Sequence, residues 1–219
     1  MKIIIASKDR SWSKKLTCNL HKDFNDVYLV NTQLDLEKYA KKINPDWIFF
    51  FHWSEIVDRI FYNEYKCVVI HTGILPKDRG GSPIQNQILN GRKITNVNAL
   101  VMQDPVDSGD VYCSEQITLQ GSLNDIWHSI AEAATKVIYK CVKINPIPWP
   151  QEGEENTYKR KLDNELKLDS VESIYDQIRI LDGDGYPNTT LTLGNFKMEF
   201  SRAKLSEGEI LADVKIYKA

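Results

Sequence analysis

The sequence predicts an α/β protein: a mostly parallel sheet with helices on both faces, followed by a small C-terminal α+β or β subdomain. Three observations predict it. Short runs of β-branched and aromatic residues alternate with helical periodicity through the first two thirds of the chain. A proline-rich run, INPIPWP at Ile144–Pro150, interrupts that rhythm. Beyond it come a polar stretch, one short helix and three strand-like runs. Residues 1–148 are therefore assigned to the first domain and 149–219 to the second.

Each element has its own justification. Lys2–Ala6 (KIIIA) suits a strand buried on both faces. Trp12, Leu16 and Leu20 recur every four residues, as on one face of a helix. Val27–Val30 is a second strand. Thr32 and Asp35 resemble a capping box, and Leu36, Tyr39, Ala40 and Ile43 continue at helical spacing. Asp46–Phe51 and Lys66–His71 are further strands, with a short helix between them near Glu55–Tyr62. This βαβαβ order implies parallel pairing. Thr72–Gly91 begins rich in Gly and Pro, a loop leading into a short helix. Val97–Met102 and Val111–Leu119 read as strands. Ser122 and Asp125 open the clearest helix, whose apolar face runs from Leu123 to Cys141. In the tail, Val171–Leu181 is a helix, Gly194–Asn195 a turn between two strands, and Ile210–Tyr217 a last strand.

Composition excludes several classes. The 219 residues are 42% hydrophobic, which rules out disorder, and carry 28 Lys+Arg against 30 Asp+Glu, a formal charge of −2, which argues against a dedicated nucleic-acid or anionic-membrane binder. No apolar stretch approaches the roughly 20 residues of a membrane span. The four cysteines form no CxxC pair, so neither a zinc site nor a disulfide framework is expected. The N-terminal apolar run is too short for a signal peptide, and a cytoplasmic location is expected. No metal and no nucleic-acid or membrane partner is expected; a second copy of the chain is left open.

Open parallel sheets bind ligands beyond the carboxyl ends of their strands. That directs attention to His52–Ser54, His71–Gln85 and Met102–Gly109. The turn after the first strand, ASKDRSWS, has no glycine, so a dinucleotide or P-loop phosphate site is not indicated. His71 ends an apolar strand, Asp107 lies in DPVDSGD, and Asn98 interrupts VNALVM. Singly, these read as a structural His, a turn former and a surface amide. Together they fall in one long pattern, HTGILPKDRGGSPIQNQILNG followed by NVNALVMQDPVDSGDVY.

That pattern closely resembles the catalytic segment of the formyltransferases that use N10-formyltetrahydrofolate. The match runs through His71, Leu75-Pro76, Arg79-Gly80, Pro83, Asn90-Gly91, Val97, Met102, Asp107 and Gly109-Asp110. The resemblance implies a Rossmann-like domain in which a substrate amine attacks the formyl carbon of the folate. His71 is then a donor to the developing oxyanion, and Asp107 assists proton transfer. The family's Asn, two residues before the His, is Val69 here, and Asn98 is expected to replace its amide, with Gln103 as the second candidate. Trp53, Met102, Gln103, Asp104 and Val106 are expected to line the folate site. Gly80, Gly81, Ser82 and Arg79 are expected to shape the acceptor's entrance. Trp53 and Arg79 have plain alternatives as a packing residue and a loop organiser. Gly73, in place of the family's Ser, is expected to widen the pocket.

The acceptor is read from the tail. The runs Thr157–Glu165 and Ile174–Ala203 resemble the nucleotide-linked amino-sugar N-formyltransferases. Tyr186 and Asn188 then belong to the sugar-nucleotide site, Tyr186 otherwise being a core tyrosine. The function expected is formylation of an amino-deoxysugar attached to a nucleotide, for a surface glycan. The alternatives are methionyl-tRNA or glycinamide ribonucleotide as acceptor, or a catalytically silent folate or sugar-nucleotide binder.

Overall fold

A computed structural model describes residues 1–160 and 163–219. Lys161 and Leu162, inside the Thr157–Glu165 run, lie outside the described residues. The chain order is β1 (Lys2–Ala6), α1 (Ser11–Leu20), β2 (Asp26–Val30), α2 (Gln33–Ile43), β3 (Trp47–Phe51), α3 (Arg59–Glu64) and β4 (Cys67–Thr72). Then come β5 (Arg79–Gly80), α4 (Pro83–Leu89), β6 (Ile94–Val101), β7 (Val111–Thr118) and α5 (Leu123–Ile144). The tail holds β8 (Thr157–Tyr158), α6 (Val171–Arg179), β9 (Thr189–Leu193), β10 (Phe196–Ser206) and β11 (Glu209–Lys218).

The main sheet has the order β2-β1-β3-β4-β6-β7. β2, β1, β3 and β4 are parallel, whereas β6 runs antiparallel to β4 and β7 antiparallel to β6. Alternation along β1 explains its unbroken apolar run. Ile3 and Ile5 join a core with Trp12, Leu16 and the apolar face of α5, while Ile4 and Ala6 join a second core with Leu36 and Ala40 of α2. Trp12 and Leu16 are completely buried, as their four-residue spacing predicts.

Caps set several boundaries. Thr32 Oγ1 accepts the Asp35 N–H, and Ser122 and Asp125 form a reciprocal capping box at the start of α5. Ser122→Ala should cost about 1 kcal/mol by leaving the Asp125 N–H without its cap, a loss readable by urea denaturation. An unchanged midpoint would refute that share. α3 starts later than the expected Glu55–Tyr62 because Asp58, whose carboxylate accepts the Ile60 N–H, is the cap.

The tail forms an antiparallel β9-β10-β11 sheet with Gly194–Asn195 as the first turn. β11, which the sequence leaves open between pairing at home and pairing with another subunit, pairs with β10. The proline-rich run is pinned to the main sheet: Trp149 exchanges both backbone hydrogen bonds with Val111. Ile180 and Leu181 enter the main core, and β8 pairs with β5, tying the tail to the loop after His71. Among the described residues no helix is long and apolar enough to cross a membrane.

Candidate active site

β4 carries His71 to the carboxyl edge of the parallel strands, where it is only 6% exposed. Its Nδ1 lies 3.3 Å from Asp107 Oδ2, and its Nε2 lies 2.6 Å from the backbone carbonyl of Asp78. Asp107 also accepts the Gly80 N–H at 3.0 Å. His71 and Asp107, far apart in the chain, thus form one buried pair; with Nδ1 on Asp107 and Nε2 on the Asp78 carbonyl, this arrangement leaves neither ring nitrogen free to donate to an oxyanion, the role the resemblance implies for His71.

Asp107 arrives by a route the sequence does not show. β6 is antiparallel to β4, so Val101 lies opposite Val68, and the Met102 N–H bonds the Cys67 carbonyl at the opposite end of β4 from His71. Met102 is therefore at the far edge, contrary to the rule for parallel strands used to place it. The loop folds back along the sheet until Asp107, in left-handed backbone at φ 60°, reaches His71. Gln151 holds this shape by donating to the carbonyls of Asp107 and Gly109, both at 2.8 Å. No spacing in the sequence marks Gln151; it simply follows a proline in a polar run.

Arg79 is 6% exposed, with its guanidinium on Gln151 and Glu155. Each of these contacts ties the His71 loop to the tail, as the loop-organiser alternative has it. Gly80, at φ 89°, allows the β5–β8 pairing; a Cβ there would lie 2.6 Å from the Tyr158 carbonyl. Gly81 packs against the Arg160 backbone, and Ser82, also left-handed, begins α4. Gly73 does not widen a pocket. Its missing Cβ would meet Asp78 Cβ at 2.6 Å, so that space is already filled.

Asn98 lies directly opposite His71 in the ladder, as expected of a residue on the neighbouring strand. Its amide nitrogen donates to the Gly73 carbonyl at 2.8 Å, and its oxygen accepts from Ser114 Oγ at 2.6 Å. In this arrangement the amide braces the turn after His71. A cleft of about 460 Å³ lies beside it, lined in part by Asn96, Ser114, Trp149 and Gln151.

The residues expected at the folate divide in two. Trp53 and Met102 both pack against the second core, Trp53 edge-on to Phe50. Asp104 and Val106 sit on the outer loop, Asp104 accepting the Tyr62 hydroxyl and Val106 exposed. Gln103 donates to Ser108 within the same loop.

At the β1/β3 boundary, where the strand order reverses, Tyr186 stacks on His52 and its hydroxyl lies 3.2 Å from His52 Nε2. The Asn188 carbonyl accepts from Asn164. Burial first, then the positive charges of Arg10, Lys8 and Arg160, push the His52 imidazole down from 6.5 to about 4. From pH 6.5 down to about 4 the unfolded chain binds a proton at His52 that the folded chain does not. Stability should therefore fall with pH across that window, by up to about 3 kcal/mol. His52→Gln should flatten this dependence in denaturation midpoints; an unchanged slope would remove His52 as its source.

Comparisons with known proteins bear on the same residues. The family model "Formyl transferase" matches residues 13–142, a span containing both His71 and Asp107, and "Methionyl-tRNA formyltransferase, C-terminal domain" matches 161–217. The methionyl-tRNA formyltransferase of a Nitratiruptor species is 30% identical over 144 residues, covering 62% of this chain and 47% of that protein. The chain thus spans about half the length of the curated relatives it matches. The structure of a methionyl-tRNA formyltransferase from Clostridium thermocellum superposes with a TM-score of 0.93 at 33% identity, covering 100% of both chains. The sugar 3N-formyl transferase WlaRD, solved with dTDP and 5-N-formyl-THF, gives 0.67 at 16% identity, covering 98% and 97%. The first family model covers more than half the chain, and the loop that brings Asp107 to His71 lies wholly inside it: the chain belongs to the formyl transferase family.

Proposed function

We propose that the protein transfers the formyl group of N10-formyltetrahydrofolate to a primary amine, and that the amine is that of methionyl-tRNA. The buried His71–Asp107 pair carries the first half of this reading. In the reaction the amine nitrogen bonds to the formyl carbon, and the bond from that carbon to N10 breaks. The proton lost by the amine must reach N10 of the leaving tetrahydrofolate. A carboxylate and an imidazole in contact, shielded from water, are suited to hold that proton between the two steps.

The acceptor rests on different support. The tail around Tyr186 and the absence of net positive charge favour a nucleotide-linked amino sugar. The relatives at 30–33% identity are methionyl-tRNA formyltransferases, whereas the sugar enzyme WlaRD, at 16%, is similar in fold alone. Methionyl-tRNA is accordingly the acceptor put forward. The positive charges of Lys8, Arg10 and Arg160 around His52 favour an anionic acceptor of either kind.

Purified protein, labelled N10-formyltetrahydrofolate and two acceptor sets test the reading. Methionyl-tRNA should gain the label as tetrahydrofolate is released. Label on dTDP- or UDP-linked amino sugars alone would restore the sugar reading. No transfer to either, with folate still bound, would favour a silent binder, as the loss of the family's amide at Val69 allows.

A further inference from the structure

Asp78 is completely buried, between an exposed Lys77 and the buried Arg79. Its two ends do different things. The main-chain carbonyl receives His71 Nε2 at 2.6 Å. The carboxylate turns the other way, accepting the Ile74 N–H at 2.7 Å and pairing with the Arg92 guanidinium. Arg92 is itself fixed behind α4, its N–H on the Gln87 carbonyl, and Gln87 in turn donates to the Thr72 carbonyl beside His71. Gly73 lets the whole arrangement close, since a Cβ there would meet Asp78 Cβ at 2.6 Å and His71 Nε2 at 3.3 Å.

The chemistry of this contact decides something about His71. A neutral imidazole carries one N–H and one lone pair. A backbone carbonyl only accepts, so Nε2 must be the protonated nitrogen whenever this bond exists. The basic nitrogen is then Nδ1, and because an ionised carboxylate also only accepts, its contact with Asp107 must carry a proton, on Asp107 while the ring is neutral and on Nδ1 when the ring is cationic. Any proton taken up in the reaction lands between Nδ1 and Asp107 instead of at Nε2. The choice of tautomer is therefore made by a carbonyl whose position depends on the anchored carboxylate of its own residue.

We propose that Asp78, braced by Arg92, is a positioning residue that holds His71 in the Nε2–H tautomer and so leaves Nδ1 to exchange protons with Asp107. The catalytic consequence rests on the reading of His71 and Asp107 as the formyl-transfer pair; the tautomer itself does not.

The test is nitrogen-15 NMR of the histidine rings in the full chain, with the His71 signals identified by their loss in His71→Gln. In the unsubstituted protein the neutral His71 ring should show a protonated Nε2 and an unprotonated Nδ1. In Asp78→Asn and in Arg92→Met both tautomers should appear, and Arg92→Lys should recover the single form. Turnover should fall about tenfold to a hundredfold in the first two variants with KM for folate unchanged, the pattern of a misoriented group in an intact binding site. Arg92 is partly exposed, so Arg92→Met keeps the test open should Asp78→Asn fail to fold. A single Nε2–H form persisting in folded Asp78→Asn or Arg92→Met would overturn the proposal, as would a mixed tautomer with unchanged turnover. Absence of transfer by the unsubstituted protein would count against the functional reading alone, because the ring signals are read without turnover.

Discussion

Asp107→Asn is expected to lower turnover by about a hundredfold to a thousandfold while leaving the fold intact. The choice of Asn matters. Asp107 sits at φ 60°, a left-handed conformation that Asn adopts readily and Ala does not, so Asp107→Ala would mix backbone strain with lost chemistry. Asn keeps the shape and an oxygen able to accept the Gly80 N–H. It loses the negative charge beside His71 Nδ1, and its amide nitrogen cannot take a proton from the imidazole. Steady-state kinetics with saturating folate, together with a thermal melt, separate the two effects. An unchanged melt with a turnover close to that of the parent would remove Asp107 from the proton path.

The second large effect is on folding. Gly109 is buried where the loop after β6 rejoins the sheet, and a Cβ there would lie 1.8 Å from the Val101 carbonyl oxygen. Backbone, not a flexible side chain, is in the way. The Val101 N–H is bonded to the Asp110 carbonyl at 2.9 Å, so neither partner can withdraw without breaking the β6–β7 ladder. Overpacking typically costs about 1–3 kcal/mol, and rigid backbone in the way puts Gly109→Ala at the upper end, so it should lower the urea midpoint well below that of Ser122→Ala. It should also reduce activity, because the Gly109 carbonyl is one of the two that Gln151 holds, the other being that of Asp107. A Gly109→Ala protein within about 0.5 kcal/mol of the parent, the size expected for an inert surface change, would refute the packing argument.

Much of this was legible from local pattern. Periodicity identified α1, α2 and α5 because each buries one stripe, and the β-branched runs identified β1 and β4 because both faces of those strands are covered. His71 and Asp107 were legible only as parts of a long pattern; alone, each looks like a strand end and a turn. Arg79 shows what residue type leaves open. The sequence allows it at the acceptor entrance or as a loop organiser, and its partners, Gln151 and Glu155, come from the tail, far along the chain.

Local sequence was enough to set the elements, the parallel half of the sheet and the choice of His71 and Asp107 as the pair proposed to react, since these depend on neighbours within a few turns or on a contiguous motif. How the pair meets is a matter of three-dimensional arrangement. The antiparallel direction of β6 starts the Asp107 loop at the wrong end of β4, and only the fold-back pinned by Gln151 returns it to His71. The same arrangement selects which nitrogen of His71 faces the carboxylate, through a carbonyl of Asp78 that no side-chain pattern can reveal. Main-chain acceptors are identical at every residue, so their placement is known only once the chain is folded.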